Sequence, residues 1–216
     1  MWGCDVRVLL VHGWGYGPRM WDALIPLLPR HWRCHAMEAW DFPTQDYDLC
    51  VGHSYGFFAG YRAMPHALWV AINSAPCFVQ GPDNPHGIPK RVLHQMAQRF
   101  QDQPQAVLQA FQAKASALYA CNTPNTDLLT ALQTMQVPQP CPPTPILCAL
   151  TAAQDPILTY PWAHHAHTVH SHPSSSHLLP MTHALWCADV LTETLSGYSS
   201  MDLMDLEDGF YKALET

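Results

Sequence analysis

The chain has 216 residues, of which 48% are hydrophobic and 12% charged. That composition allows one well-buried domain and argues against a disordered chain. The net charge of -7 argues against a general nucleic-acid binder. The charge is uneven: from Asp189 to Thr216 seven acids face one Lys, whereas between Pro85 and Ala120 Lys90, Arg91, Arg99 and Lys114 face only Asp102.

The opening "MWGCDVRVLLVHGWG" has no basic region and no small-residue cleavage site, so no secretory signal is expected. No segment approaches the apolar length of a membrane span. Eight cysteines include no C-x-x-C pair, and reduced thiols in the cytoplasm are expected.

Val6 to Val11 reads as a buried strand ended by "HGWGYG". Trp21, Leu24, Ile25 and Leu28 fall at helical spacing, with Pro26 as a kink or early stop. A short strand is expected over His35 to Ala39, a turn at "DFPTQD", and a strand over Tyr47 to Val51. "YGFFAGYRAM" predicts the next helix, ended by Pro65, and "ALWVAINSAP" predicts a fourth strand. The texture then changes. After the loop "GPDNPHGIP", apolar residues recur at helical spacing over 92–100, 107–118 and 128–135, with no strand between them. "VPQPCPPTP", with five prolines in nine residues, predicts a stiff hinge. "ILCAL" restores the strand pattern, and Ala184 to Leu195 predicts a last helix. Strands and helices alternating on both sides of a helical insert predict an α/β parallel sheet with a lid.

Gly52-His53-Ser54-Tyr55-Gly56 is a G-x-S-x-G placed between a predicted strand and a predicted helix. That context is what a nucleophile elbow requires, because the glycines admit the tight bend that exposes the hydroxyl. The N–H of Tyr55 is one expected oxyanion donor, and the N–H of Trp14 in "VHGWG" is the second. Asp155 in "TAAQDP" stands where the acid of a triad belongs, although an Asp-Pro pair also starts turns. His164, His165, His167, His170, His172, His177 and His183 all follow it. A base in the loop before the last helix fits His177 best, with His183 as the alternative. These histidines have neither a companion carboxylate or Cys nor an H-E-x-x-H, so no metal is expected.

Four stretches resemble α/β-hydrolases of the pimeloyl-[acyl-carrier protein] methyl ester esterase group, which are biotin-synthesis carboxylesterases. "VLLVHGWG" is similar to the oxyanion segment and "GHSYG" to the elbow. "NSAPCF" followed by "GIPKRVLHQMAQRFQDQPQAVLQAFQ" resembles the approach to the lid and its first helices. "HLLPMTHALWCADVL" resembles the histidine loop, in which a second His follows the catalytic one by six residues.

The resemblance implies Ser54, Asp155 and His177 as a triad, with no cofactor. It implies an acyl channel lined by Trp14, Phe111, Gln112, Lys114 and Ala115. It implies an acyl carrier protein as partner, docking at Lys90, Arg91 and Arg99. No nucleic-acid or membrane partner is expected, and a monomer is. The fold it implies is a reduced α/β-hydrolase, a mostly parallel sheet flanked by helices with a helical lid after the fourth recognisable strand. Residues 1–76 and 141–198 would form the core, 77–140 the lid and 199–216 an acidic tail. Other readings are a generic short-chain carboxylesterase or thioesterase with the same triad, and a non-catalytic binding protein.

The departures from the group are local. Only about eight residues separate the strand before "DFP" from the elbow strand, too few for a helical crossover. Ala106 and Ala110 stand where arginines are expected. The tail matches nothing in the group, though Leu203, Leu206 and Phe210 predict a short amphipathic helix.

Overall fold

The structure is a computed structural model and describes residues 5–37, 40, 42–82, 84–115, 126–137, 146–162, 165–174 and 176–197. Six strands, β1 Val6–Val11, β2 Trp32–Ala36, β3 Leu49–His53, β4 Trp69–Ile72, β5 Ile146–Ala152 and β6 Ala166–His172, form one sheet in the order β2-β1-β3-β4-β5-β6. Every pairing is parallel. Parallel strands are covered on both faces, so they read as near-continuous apolar runs rather than alternating ones. β1 shows this directly, because Leu9 and Val11 enter one core cluster while Val8 and Leu10 enter the other.

One face carries α1 (Tyr55–Ala63) and, among the described residues between β4 and β5, the helices α2 Lys90–Asp102, α3 Pro104–Lys114 and α4 Thr126–Met135. α2 packs on both α3 and α4. Gln103 divides α2 from α3, because the ring of Pro104 pushes the residue before it out of the helical region and then starts the next helix itself. The other face is closed by α6 (Ala184–Gly197), preceded by the short α5 (Leu179–Thr182).

Four local expectations need correction. The helix predicted around Trp21 to Leu28 is two short 3-10 turns, Pro18–Trp21 and Ile25–Leu27. Pro26 cannot donate a backbone hydrogen bond and prevents a longer helix. The second strand begins at Trp32, earlier than expected, because Val6 to Leu10 of β1 pair with Trp32 to Ala36. The third runs to His53, so the strand leads directly into the serine. The fall of α3 at Lys114 is also earlier than the predicted 118, and 116–125 lie outside the described residues. So do most of the proline-rich stretch (138–145) and the tail (198–216).

The short connection after β2 does not disturb the sheet order. Residues 37–48 carry the chain past β1 to β3 with no helix among those described. Twelve extended residues reach roughly 40 Å, more than the return over a five-residue strand needs. Tyr47, Trp40 and Phe42 from this segment pack on the core where a crossover helix would lie. Between β5 and β6, Leu158, Tyr160 and Trp162 do the same. Among the described residues no helix is long and apolar enough to cross a membrane.

Candidate active site

Ser54 joins β3 to α1 with φ 51° and ψ -122°. A non-glycine residue there is strained, at an order of 1–3 kcal/mol, and persists only where its surroundings hold it. The surroundings are two glycines that admit close approach. A Cβ on Gly52 would lie 2.3 Å from the Phe57 Cα, and one on Gly56 2.3 Å from the Val11 carbonyl oxygen. The Ser54 amide donates to the Ile72 carbonyl at 3.0 Å, and Ser74 Oγ donates to the Ser54 carbonyl at 2.6 Å.

Three chain-distant side chains meet at the carboxyl ends of the strands. His177, in the loop after β6, has Nε2 3.1 Å from Ser54 Oγ and Nδ1 2.7 Å from Asp155 Oδ2. Asp155 follows β5, and its other oxygen accepts the amides of Ile157 and Leu158 at 2.8 and 3.2 Å. His177 is fully buried, and Ser54 and Asp155 are nearly so. The carboxylate fixes the tautomer: Nδ1–H donates to Asp155, leaving Nε2 to accept from the serine hydroxyl. Hydroxyl, imidazole and carboxylate are thus lined up for proton transfer away from Ser54.

The remaining candidates divide. Tyr55 begins α1, where an N–H has no intrahelical acceptor. Trp14 is buried, its indole Nε1 donates to the Leu128 carbonyl at 2.8 Å, and its ring meets Phe111 edge-on at 4.9 Å. Phe111 is half-buried with its ring 6.3 Å from that of His177. Gln112 is buried and donates to the Gly15 carbonyl at 3.0 Å. Ala115 is buried in the other core cluster, and Lys114 is exposed. Lys90, Arg91 and Arg99 are exposed on α2, and none makes an ion pair among the described residues.

The histidine-rich run separates in space. The His183 ring lies tilted against that of His172, with ring centroids 4.1 Å apart, and His183 shares a 2.8 Å hydrogen bond with Thr182. His167 and His170 lie in β6, His165 just before it, and His164 lies outside the described residues. Among the described residues no group of three or more His, Cys, Asp or Glu is arranged to hold a metal.

Two buried residues escaped the sequence reading. His53 Nε2 lies 2.8 Å from the His177 carbonyl, and burial, with His177 close by, pushes the pKa of this imidazole well below its ordinary value. Asn73, at the end of β4, has φ 43° and bonds to the histidine loop. The only trace of either in the sequence is a polar residue at the end of an apolar strand.

No protein-family model matches the chain. It is 32% identical over 135 residues to the pimeloyl-[acyl-carrier protein] methyl ester esterase of Aromatoleum aromaticum, covering 49% of this chain and 54% of that one. The chain therefore spans about half the length of the curated relatives it matches. In structure it is similar to a hydrolase from Oleispira antarctica, with a TM-score of 0.65 at 16% identity over 91% of this chain and 93% of that one. It is also similar to BioG from Haemophilus influenzae, with a TM-score of 0.56 at 19% identity over 85% and 95%. The chain has the α/β-hydrolase fold and, over half its length, is similar to proteins named pimeloyl-[acyl-carrier protein] methyl ester esterase.

Proposed function

We propose that this protein is a serine carboxylesterase that removes the methyl group from pimeloyl-acyl-carrier protein methyl ester, in the cytoplasm, for biotin synthesis. The observation that carries the reading is the Ser54–His177–Asp155 line at the end of a strained strand-to-helix bend. The match to relatives so named supports the choice of ester.

In this reading Ser54 Oγ attacks the ester carbonyl while His177 Nε2 takes its proton. Asp155 stabilises the imidazolium that forms. The amides of Trp14 and Tyr55 bind the oxyanion, each worth about 3 kcal/mol in the transition state. The tetrahedral centre collapses, the ester C–O bond breaks, and His177 returns the proton to the departing methoxide, which leaves as methanol. Water, deprotonated by His177, then cleaves the acyl-serine and leaves a free carboxylate. Phe111, Gln112, Lys114 and Ala115 of the lid, with Trp14, would line the acyl side. The carrier protein would dock on the lid at Lys90, Arg91 and Arg99. The core (1–76 and 141–198), lid (77–140) and acidic tail (199–216) divide the chain in this reading.

Methanol release from pimeloyl-carrier methyl ester is the test, run with wild type and Ser54→Ala beside a fluorophosphonate that labels active serines. Release that Ser54→Ala abolishes, with wild-type labelling confined to Ser54, supports the reading. Turnover of short free esters with none on the carrier substrate would replace it with a generic carboxylesterase. Labelling at another serine would overturn the triad.

A further inference from the structure

Three buried polar side chains outside the triad converge on the backbone that carries it. Asn73 directly follows β4, which lies between the strands that lead to Ser54 and Asp155. Its side-chain orientation is fixed by its partners. Oδ1 faces the Ala152 amide at 2.7 Å and must accept; Nδ2 faces the carbonyls of Ser176 and His177 at 3.0 and 2.9 Å and must donate to both. One side chain therefore joins the end of β5, three residues before Asp155, to the loop that holds the base. The next residue, Ser74, donates from Oγ to the Ser54 carbonyl. His53 supplies the second donor to the His177 carbonyl. Its Nε2 faces an oxygen and so carries the proton, while Nδ1 has no hydrogen-bond partner among the described residues. Gly13 leaves room for this ring, since a Cβ there would lie 2.6 Å from Nδ1.

Resting on the triad reading above, we propose that Asn73 is a positioning residue for the base. By donating to the carbonyls of Ser176 and His177 while accepting from Ala152, and with His53 as second donor, it holds the His177 imidazole between Ser54 and Asp155. The backbone conformation supports an assigned role. Asn73 adopts φ 43° where the chain leaves β4, a region that Asn tolerates better than most residues. His177 is held through its main chain as well as by Asp155, and an imidazole displaced by about 1 Å from Ser54 costs on the order of 100-fold in rate.

The test separates positioning from general support. Asn73→Gly keeps the positive φ without strain and removes both arms. Asn73→Asp, assayed at pH 8 where the carboxylate is ionised, keeps the acceptor to Ala152 and removes the donors. Both are expected to lose roughly 10- to 100-fold in kcat on a small ester with KM within twofold of wild type. Fluorophosphonate labelling of Ser54 should slow in step, since it depends on the same proton transfer. His53→Leu should lose kcat in the same way, and His53→Gln, whose amide can donate to the His177 carbonyl, should recover most of it. Full kcat in Asn73→Asp would overturn the proposal. So would equal losses in His53→Leu and His53→Gln that track the fall in melting temperature. If wild type is not labelled at Ser54, the triad reading itself fails and this role fails with it. Labelled wild type with variants of equal rate removes the positioning role alone.

Discussion

Gln112 of α3 donates from Nε2 to the Gly15 carbonyl in the loop after β1, across 97 positions of chain. Both groups lie away from water. Gln112→Leu keeps most of the volume and leaves that carbonyl without its donor. A cost of about 1–3 kcal/mol follows, or a fall in melting temperature of roughly 2–12 °C for a chain of this size. Phe111, the preceding residue, has its ring 6.3 Å from His177, so a loosened α3 moves an aromatic wall of the site. KM for small esters is expected to rise more than kcat falls. Calorimetry with steady-state kinetics measures both, and an unchanged melting temperature would show that the bond contributes nothing.

The two histidines of the "HLLPMTH" stretch have different surroundings. His177 contacts Ser54 and Asp155, whereas His183 contacts His172 and Thr182. His177→Ala should reduce turnover about as far as Ser54→Ala, because residues that act as a unit are not additive. His183→Ala should change kcat by less than about threefold, since its partners lie outside the line of proton transfer. Comparable losses at the two positions would contradict this arrangement.

How much of this was legible in the sequence depended on how local the signal was. The elbow lies within five residues, and Gly52 and Gly56 stand where the backbone approach demands them. His177 emerged from seven candidates only through chain order and the resemblance, because its partners are more than 20 residues away. β2 was displaced because its register comes from β1 rather than from its own polar sequence "WRCHA". β6 carries an exposed edge with a weak apolar pattern, so its bounds could not be read from its histidine-rich sequence. Asn73 and His53 left no more than a polar residue at the end of an apolar strand, since the role of a buried polar side chain is recognisable only by the long-range groups it satisfies.

The glycines offer a graded steric test. Gly52→Ala and Gly56→Ala place a methyl 2.3 Å from rigid backbone atoms, and a Cβ on Gly81 meets nothing within 4 Å. The first two are expected to lose about 3 kcal/mol or more, as overpacked sites do at the upper end. Gly81→Ala should stay within about 0.5 kcal/mol of wild type. Urea denaturation of the three variants gives the order. Wild-type stability in Gly56→Ala would mean that the bend around Ser54 is looser than the contacts require.

His53 makes stability depend on pH. Burial first, and the nearby His177 second, hold its pKa well below the ordinary 6.5. The unfolded chain therefore binds a proton near pH 6.5 that the folded chain refuses. The contribution is present in full above that pH and is lost as pH falls toward the folded pKa, at up to about 1.4 kcal/mol per unit. The wild-type urea midpoint should fall between pH 7 and pH 5.5, and the decline should be shallower in His53→Gln. Parallel declines would assign the dependence to other groups.

The partner is tested by charge on α2. Lys90, Arg91 and Arg99 are exposed and make no ion pair among the described residues. At 100° per residue Lys90 and Arg99 stand about 180° apart around the helix, with Arg91 between them. Lys90 borders a groove of about 390 Å³ between α2 and α4, lined also by His94, Gln98, Gln101, Gln133 and Gln136. A docked acidic carrier that touches one edge of this arc leaves the other acting through space. Such long-range attraction raises the rate of encounter and is screened beyond about 8–10 Å in salt. Reversing all three charges should therefore lower kcat/KM on the carrier-bound ester by about tenfold or more at low ionic strength, and leave a small uncharged ester unaffected. Wild type and triple variant should converge on the carrier substrate as salt rises. Equal losses on both substrates would point to damaged helix packing, and no loss on either would remove the carrier protein from this surface.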